Sequence, residues 1–414
     1  MHGDARRKIS LIYIDAGGGH RAAANALSEV IREQERPWDI EMLCIQDLLD
    51  SIDFVRKITG IPFQDIYNIM LRRGWTLGSA ELVPLMHLVI RLWHAEEVRT
   101  LERHWAGNRP DLVVSLIPHY NRAMRESLTG IWPGTPYVTI LTDIADYPPH
   151  FWIEPQDQYV ICGSERAARQ ARELGMPEQR ILETSGMILN PRFYAPLVSD
   201  RASERVGLGL KPDLPTGLVL FGGEGSMDIV DIAKRLNSTE SGVQLILLCG
   251  KHDRAASELR RMEHVIPMCI QGFTRDVPYF MELSDFFIGK PGPGCISEAL
   301  AKRLPVIVKC NAWTLAHERY NADWVEEEGL GIVVRGMSEI PSAVARLVEP
   351  DSYAGFQARV AEKKNYAVYE IPGLLDRILC EASRSAEPIF PPARSRHRAR
   401  WPVARLRRTH ARAK

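Results

Sequence analysis

"FFIGKPGPGCISEALAKRLPVIV", residues 286–308, compresses a complete folding unit into one line. Phe286 to Ile288 is a short apolar run that reads as a buried strand, and Cys295 to Lys302 has helical spacing. Pro305 to Val308 is a second apolar run, and the loop before the helix is punctuated by Gly and Pro. Strand, helix, strand is the parallel crossover, because parallel neighbours need a connection that returns over the sheet. Gly292, Pro293 and Gly294 sit where that helix begins, and its free N-terminal amides would hold phosphate oxygens.

The same device stands upstream in "LVLFGGEGSMDIVDIAKRL", residues 218–236: a strand to Phe221, a loop with Gly223, Glu224, Gly225 and Ser226, and a helix from Asp228. Strand Gln244 to Leu248, helix Arg254 to Met262 and the run Val265 to Ile270 continue the alternation. Either glycine loop alone reads equally as an ordinary turn. Together, at neighbouring strand ends, they could grip one pyrophosphate from both sides. Glu298, one turn into its helix, is placed to accept hydrogen bonds from two ribose hydroxyls, or else is a solvated helix carboxylate. After the next strand, His317, Glu318 and Asn321 open another helix where a sugar on that pyrophosphate would project.

A first series precedes this one. "YIDAGGGHRAAANAL", residues 13–27, follows the apolar run Ile9 to Ile14 and places Gly17, Gly18, Gly19 and His20 before an alanine-rich helix from about Ala22 to Glu35. It is neither the G-x-G-x-x-G dinucleotide fingerprint nor a phosphate loop ending in G-K-[ST]. What remains is a strand-end loop whose amides face a ligand. His20 at the helix mouth then removes a proton, or is a helix-terminal hydrogen bonder with no chemical role. Runs Leu112 to Ile117, Tyr137 to Leu141 and Gln158 to Cys162 read as further strands, with a helix from Glu165 to Leu174. The expected fold class is α/β, with two doubly wound parallel sheets in a bilobed protein. The expected division is a first domain over residues 1–195, a linker over 196–216, a second domain over 217–350, terminal helices over 351–384 and a basic tail over 385–414.

Composition narrows the function. In 414 residues, 52 basic side chains balance 52 acidic ones, so no global field points to nucleic acid, and none is expected as a partner. The 7 cysteines are scattered without a C-x-x-C pair, which argues for reduced thiols in a cytoplasmic protein and against a metal site. No apolar h-region or membrane-spanning run is present. From Arg394 to Lys414 there is no acidic residue, so this tail contacts anionic lipid or RNA, or is a solvated tail with no fixed partner. An insertion, about residues 54–104, interleaves Leu, Ile, Met and Trp with Arg72, Arg73 and Arg91. It fits a bilayer interface and helices packed on the sheet equally well.

The motifs "DAGGGHRAAA", "LTDIADYPPHFW", "GMILNPRF", "FGGEGS", "LLCGK", "GFTRDVP" and "KPGPGCISEAL", in this order, resemble the GT-B glycosyltransferases of family 28. Among these, the branch of monogalactosyldiacylglycerol synthases and processive diacylglycerol glucosyltransferases is most similar, over about Ile9 to Val334. The resemblance implies two Rossmann-like domains facing across a cleft, with a UDP-sugar donor in the second and a lipid hydroxyl such as that of diacylglycerol presented by the first. It implies that Gly223, Glu224, Gly225, Ser226, Gly292, Pro293 and Gly294 line the diphosphate. Gly272, Phe273 and Thr274 meet the base, Glu298 holds the ribose, and His317, Glu318 and Asn321 face the sugar. Acceptor contacts fall to Gly17, Gly18, Gly19, His150 and Trp152. His20 is the candidate base, with Asp143 orienting it or serving instead. An α-linked UDP-galactose or UDP-glucose would give a β-glycolipid, with no metal and no cofactor, on the inner face of the cell membrane. A nucleotide-sugar 2-epimerase of the same fold and a non-catalytic binding subunit are the alternatives. The chain departs from the branch at 316–321, reading A-H-E-R-Y-N against G-Q-E-x-G-N, and at Met187, where proline is usual.

Overall fold

The computed structural model describes residues 6–15, 18–49, 79–147, 151–238 and 242–384, with side chains of the helix Ser79–Gly107 described from residue 92 on. Gly17, His150, the insertion up to residue 78 and the tail lie outside the described residues. Two six-stranded sheets carry the molecule, and each strand pairs parallel with its neighbours. The first runs β2-β1-β3-β4-β5-β6, from β1 (Arg7–Tyr13), β2 (Trp38–Cys44), β3 (Leu112–Ser115), β4 (Tyr137–Ile140), β5 (Tyr159–Cys162) and β6 (Ile181–Glu183). The second runs β12-β11-β10-β7-β8-β9, from β7 (Thr216–Leu220), β8 (Gln244–Leu248), β9 (Met268–Gln271), β10 (Phe286–Gly289), β11 (Val306–Lys309) and β12 (Gly331–Val334). Helices cover both faces, so central strands such as Gln244–Leu248 are buried throughout and read as unbroken apolar runs.

The strand orders place the site. In an open α/β sheet the crevice lies at the carboxyl ends of the strands where the winding reverses. Those points are β1 beside β3 in the first sheet and β7 beside β10 in the second. Residue 18 onward follows β1 and Leu116 follows β3, while residues 221–226 follow β7 and 290–294 follow β10. The three glycine loops singled out by their residues thus sit at reversals, and the segment at Leu116 joins them there.

Two strands escape a reading by apolar runs. Trp38–Cys44 pairs with β1 along its whole length, but it is an edge strand carrying Asp39 and Glu41; Ile181–Glu183, the opposite edge, is too short to show a pattern. The region expected to be a linker also behaves differently. Arg201–Gly207 is a helix capped by the Asp200 carboxylate, which accepts from Ser203 N at 2.9 Å. Arg205, 4% exposed, donates to Asp285 at 2.8 Å and to the Leu283 carbonyl at 2.9 Å, which fastens the segment to the second lobe.

In the insertion, the described end of the helix Ser79–Gly107 is packed in: Val98, Leu101 and Trp105 are buried with Met124 and Leu128 of the helix Asn121–Ile131. Among the described residues no helix is long and apolar enough to cross a membrane. The chain ends by changing lobes. The helix Pro350–Glu362 places Val360 in the core of the second lobe, whereas the final helix, Ala367–Arg384, places Ala367, Ile371 and Leu375 in the core of the first.

Candidate active site

His20 is the second residue of the helix Gly19–Glu33, which starts without a side-chain cap from Gly18, at φ +82°. Its Nδ1 lies 2.9 Å from the Leu116 carbonyl, which can only accept, so Nδ1 carries the proton and Nε2 keeps its lone pair. The Thr142 hydroxyl sits 3.0 Å from the same Nδ1. Loss of water around the ring lowers its pKa below the ordinary value, against the opposing pull of the Asp143 carboxylate. The ring is therefore neutral at pH 7, with a free acceptor nitrogen. Among the described residues no atom lies within 4 Å of a Cβ built on Gly18 or Gly19.

Asp143 is 6% exposed and accepts from the Trp152 indole at 2.8 Å. Trp152 is itself anchored, its backbone N–H donating to Asp146 at 2.7 Å, and its ring centroid lies 5.8 Å from that of His20. Asp143 thus acts on His20 through charge rather than through a hydrogen bond. The Leu116 carbonyl and Thr142 do the orienting expected of Asp143.

In the second lobe the glycines divide into two kinds. Gly225, at φ +74°, faces the Cys249 carbonyl so closely that a Cβ would lie 2.0 Å from its oxygen, and one on Gly250 would lie 2.4 Å from the Gly223 oxygen. These residues pack loop on loop. Gly294, in the first turn of the helix Pro293–Ala301, would carry a Cβ into open space, and no side chain caps that helix. Beside it stands Lys290, whose ammonium pairs with Glu318 at 2.6 Å; a Cβ on Gly292 would lie 3.2 Å from the Lys290 Cε. Glu318 is 5% exposed, and although burial alone would raise its pKa, Lys290 and His317 outweigh that and leave it lowered. Glu298, half-buried, forms no ion pair among the described residues, and burial pushes its pKa up to about 8.

Phe273 stands out 56% exposed, flanked by Lys251 at 5.7 Å from its ring centre and by Gly223. Glu224 pairs with that lysine at 3.0 Å. The Ser226 and Thr274 hydroxyls accept from the backbone N–H groups of Asp228 and Asp276, at 3.1 and 3.0 Å. Gly272 completes this strand-end loop after β9.

The two lobes meet at this point. Phe151, in the segment after β4, stacks on His317 of the second lobe with centroids 5.6 Å apart and planes 13° from parallel. His20, whose ring feels the charge of His317, and Lys290, tied to the neighbouring Glu318, consequently lie towards one seam between the lobes. Two expected ligand contacts do not reach it. Trp152 is fully buried and supports Asp143 from behind instead of touching an acceptor. Asn321, 1% exposed, lies under the phosphate loop and donates to the Pro291 carbonyl at 2.8 Å. Lys290 was legible in the quoted stretch as the cation preceding the glycines. Thr142 and Leu116 had no signal, since one is a threonine in a strand-end loop and the other acts through its backbone.

Residues 218–366 match the family model described as the glycosyltransferase family 28 C-terminal domain. Monogalactosyldiacylglycerol synthase 1, chloroplastic, from Arabidopsis thaliana is 26% identical over 85% of this chain and 67% of its own length. The probable monogalactosyldiacylglycerol synthase 2 of Oryza sativa subsp. japonica is 28% identical over 83% and 74%. Among solved structures, MurG of Acinetobacter baumannii superposes with a TM-score of 0.55 at 11% identity, covering 90% of this chain and 99% of the other. The UDP-GlcNAc 2-epimerase of Neisseria meningitidis bound to UDP-GlcNAc gives 0.54 at 12%, over 90% and 100%. The fold is GT-B; likeness at this level shows the architecture and does not separate a transferase from an epimerase.

Proposed function

We propose that this chain, whose residues 218–366 are a glycosyltransferase family 28 C-terminal domain, moves a hexose from UDP-galactose or UDP-glucose to a lipid hydroxyl such as that of diacylglycerol. One observation carries the reading: a neutral imidazole, fixed through its Nδ1, stands where the lobes meet, close enough to His317 to feel its charge, and the lobe of His317 also carries Glu298 and an uncapped helix N-terminus.

The acceptor O–H gives its proton to His20 Nε2 as the oxygen attacks the anomeric carbon. The bond from that carbon to the diphosphate oxygen breaks, and UDP leaves with the electron pair. Attack opposite the leaving group converts an α-linked donor into a β-glycoside. Charge grows on the departing diphosphate, where the amides of Gly294 and the helix start, with the Lys290 ammonium beside them, stabilise it. Glu298 takes the ribose hydroxyls. Phe273, exposed beside the Gly223 loop, offers its backbone and ring to the base. Gly18 and Gly19 leave room for the acceptor's polar end, and the chain works peripherally on the inner face of a membrane.

The relatives named as synthases support transfer over epimerisation. The test is incubation of purified protein with a panel of nucleotide sugars, with and without diacylglycerol vesicles, followed by mass spectrometry. A hexosyl lipid formed with UDP-galactose or UDP-glucose is expected. An epimerised nucleotide sugar without glycolipid, or UDP binding without turnover of any donor, would overturn it.

A further inference from the structure

The helix Ala316–Glu327 carries His317, Tyr320 and Trp324 at spacings of three and four residues, which puts them on one face. All three turn to the first lobe. His317 lies flat on Phe151. The Tyr320 ring lies under the Arg166 guanidinium at 5.8 Å. Trp324 lines a small cavity with Ile144, Gly163 and Ser164. His317 and Tyr320 are also two of the positions at which the sequence leaves the G-Q-E-x-G-N pattern.

Each end of the His317 contact is fixed. On the donor side, the next residue, Glu318, is tied to Lys290 in the phosphate loop, and Asn321 holds the Pro291 carbonyl. On the acceptor side, the Phe151 carbonyl accepts from His119 N at 2.9 Å, and the His119 ring meets Phe151 edge-on at 4.1 Å. His119 adopts φ +71°, a left-handed conformation that a side chain takes at a cost and that the surrounding contacts hold in place. Trp152, adjacent to Phe151, holds Asp143. A packed path therefore runs from the phosphate loop to the base.

We infer that His317 and Tyr320 form a clasp between the lobes, with His317 a positioning residue whose flat stack on Phe151 sets the distance from the donor's anomeric carbon to His20 and shuts water out of the cleft. This rests on the proposed transfer for its catalytic consequence, though not for the clasp itself. What the stack requires of residue 317 is a planar ring.

The test compares H317Q, H317F and the double variant H317Q/Y320G with the unchanged protein. UDP affinity, kcat and KM for lipid transfer, and donor hydrolysis are measured, with small-angle scattering of the UDP-bound protein as a readout independent of activity. H317Q should keep UDP affinity within about threefold while kcat for transfer falls on the order of tenfold or more and the share of hydrolysis rises, as expected when reacting groups lose their register. H317F, which keeps the ring, should retain most of kcat. The double variant should have a larger radius of gyration. Loss in H317F equal to that in H317Q, or an unchanged hydrolysis share and an unchanged radius in the double variant, overturns the clasp. If the unchanged protein transfers nothing, the functional reading fails and the scattering result alone decides the clasp.

Discussion

At the scale of single residues, His20 and Asp143 divide the work between proton and charge. The Asp143 carboxylate raises a His20 pKa that burial pulls down, so removing its charge should lower that pKa further. In D143N the asparagine oxygen still accepts from the Trp152 indole, so geometry persists. The acid limb of kcat/KM, which reports protonation of the base, should therefore move to lower pH while the plateau survives in part. H20A should lose on the order of a hundredfold or more in kcat with UDP binding kept. If D143N instead abolishes turnover and H20A does not, the carboxylate is the base. Glu298 gives a second pH test. Its folded pKa is raised to about 8, so at neutral pH the free site is largely protonated, whereas two ribose hydroxyls need a carboxylate to donate to. Donor binding should release a proton, and UDP affinity should climb from pH 6.5 to about 8 and then level off. Calorimetry in buffers of different ionisation enthalpy reads the proton directly, and E298Q should abolish both effects.

At the scale of elements, the glycines show how far a sequence can be read. The two loops at β7 and β10 announce themselves by composition, and the strand order brings them together. What composition cannot say is which glycine serves the ligand and which serves the fold, because that depends on the atom opposite a missing Cβ. Gly225 faces the Cys249 carbonyl from a loop that follows β8, and G225A should destabilise the protein by roughly 2 kcal/mol or more through clash and a strained φ. Gly19, the first residue of its helix, has no described atom within 4 Å of a built Cβ and no positive φ, so G19A should leave thermal unfolding essentially unchanged. It should nevertheless weaken lipid transfer, if the acceptor comes against that turn. Equal unfolding temperatures for the two variants would refute the division. The same limit hid Arg205, whose partner Asp285 lies 80 residues away, and the role of Asn321, whose burial is set by a loop from another crossover. The edge strand Trp38–Cys44 escaped notice because Asp39 and Glu41 interrupt its apolar run, Glu41 being held by Ser10 and Asn108.

At the scale of the molecule, the route of the chain decides what can be removed. It builds the first lobe, then the second, and returns with the helix Ala367–Arg384, where Ile371, Leu375, Ile378 and Leu379 are each at most 6% exposed. Burying a large aliphatic side chain contributes about 1.5–3 kcal/mol, so four of them match the whole stability of an ordinary domain, about 5–15 kcal/mol. A chain ending at Tyr366 should therefore lose the first lobe, with soluble yield and cooperative unfolding lost together. A chain ending at Arg384 should unfold as the full chain does, because the core contacts named here lie before that point. It separates the two membrane readings of the sequence. The removed segment holds the arginine-rich run after Arg394, whose attraction to anionic lipid is electrostatic and screened by salt. If the tail supplies the membrane contact, co-sedimentation with anionic vesicles at low salt should fall in the shortened chain, and transfer to lipid in neutral detergent micelles should be unchanged. Undiminished, salt-resistant sedimentation would move that contact to the apolar insertion.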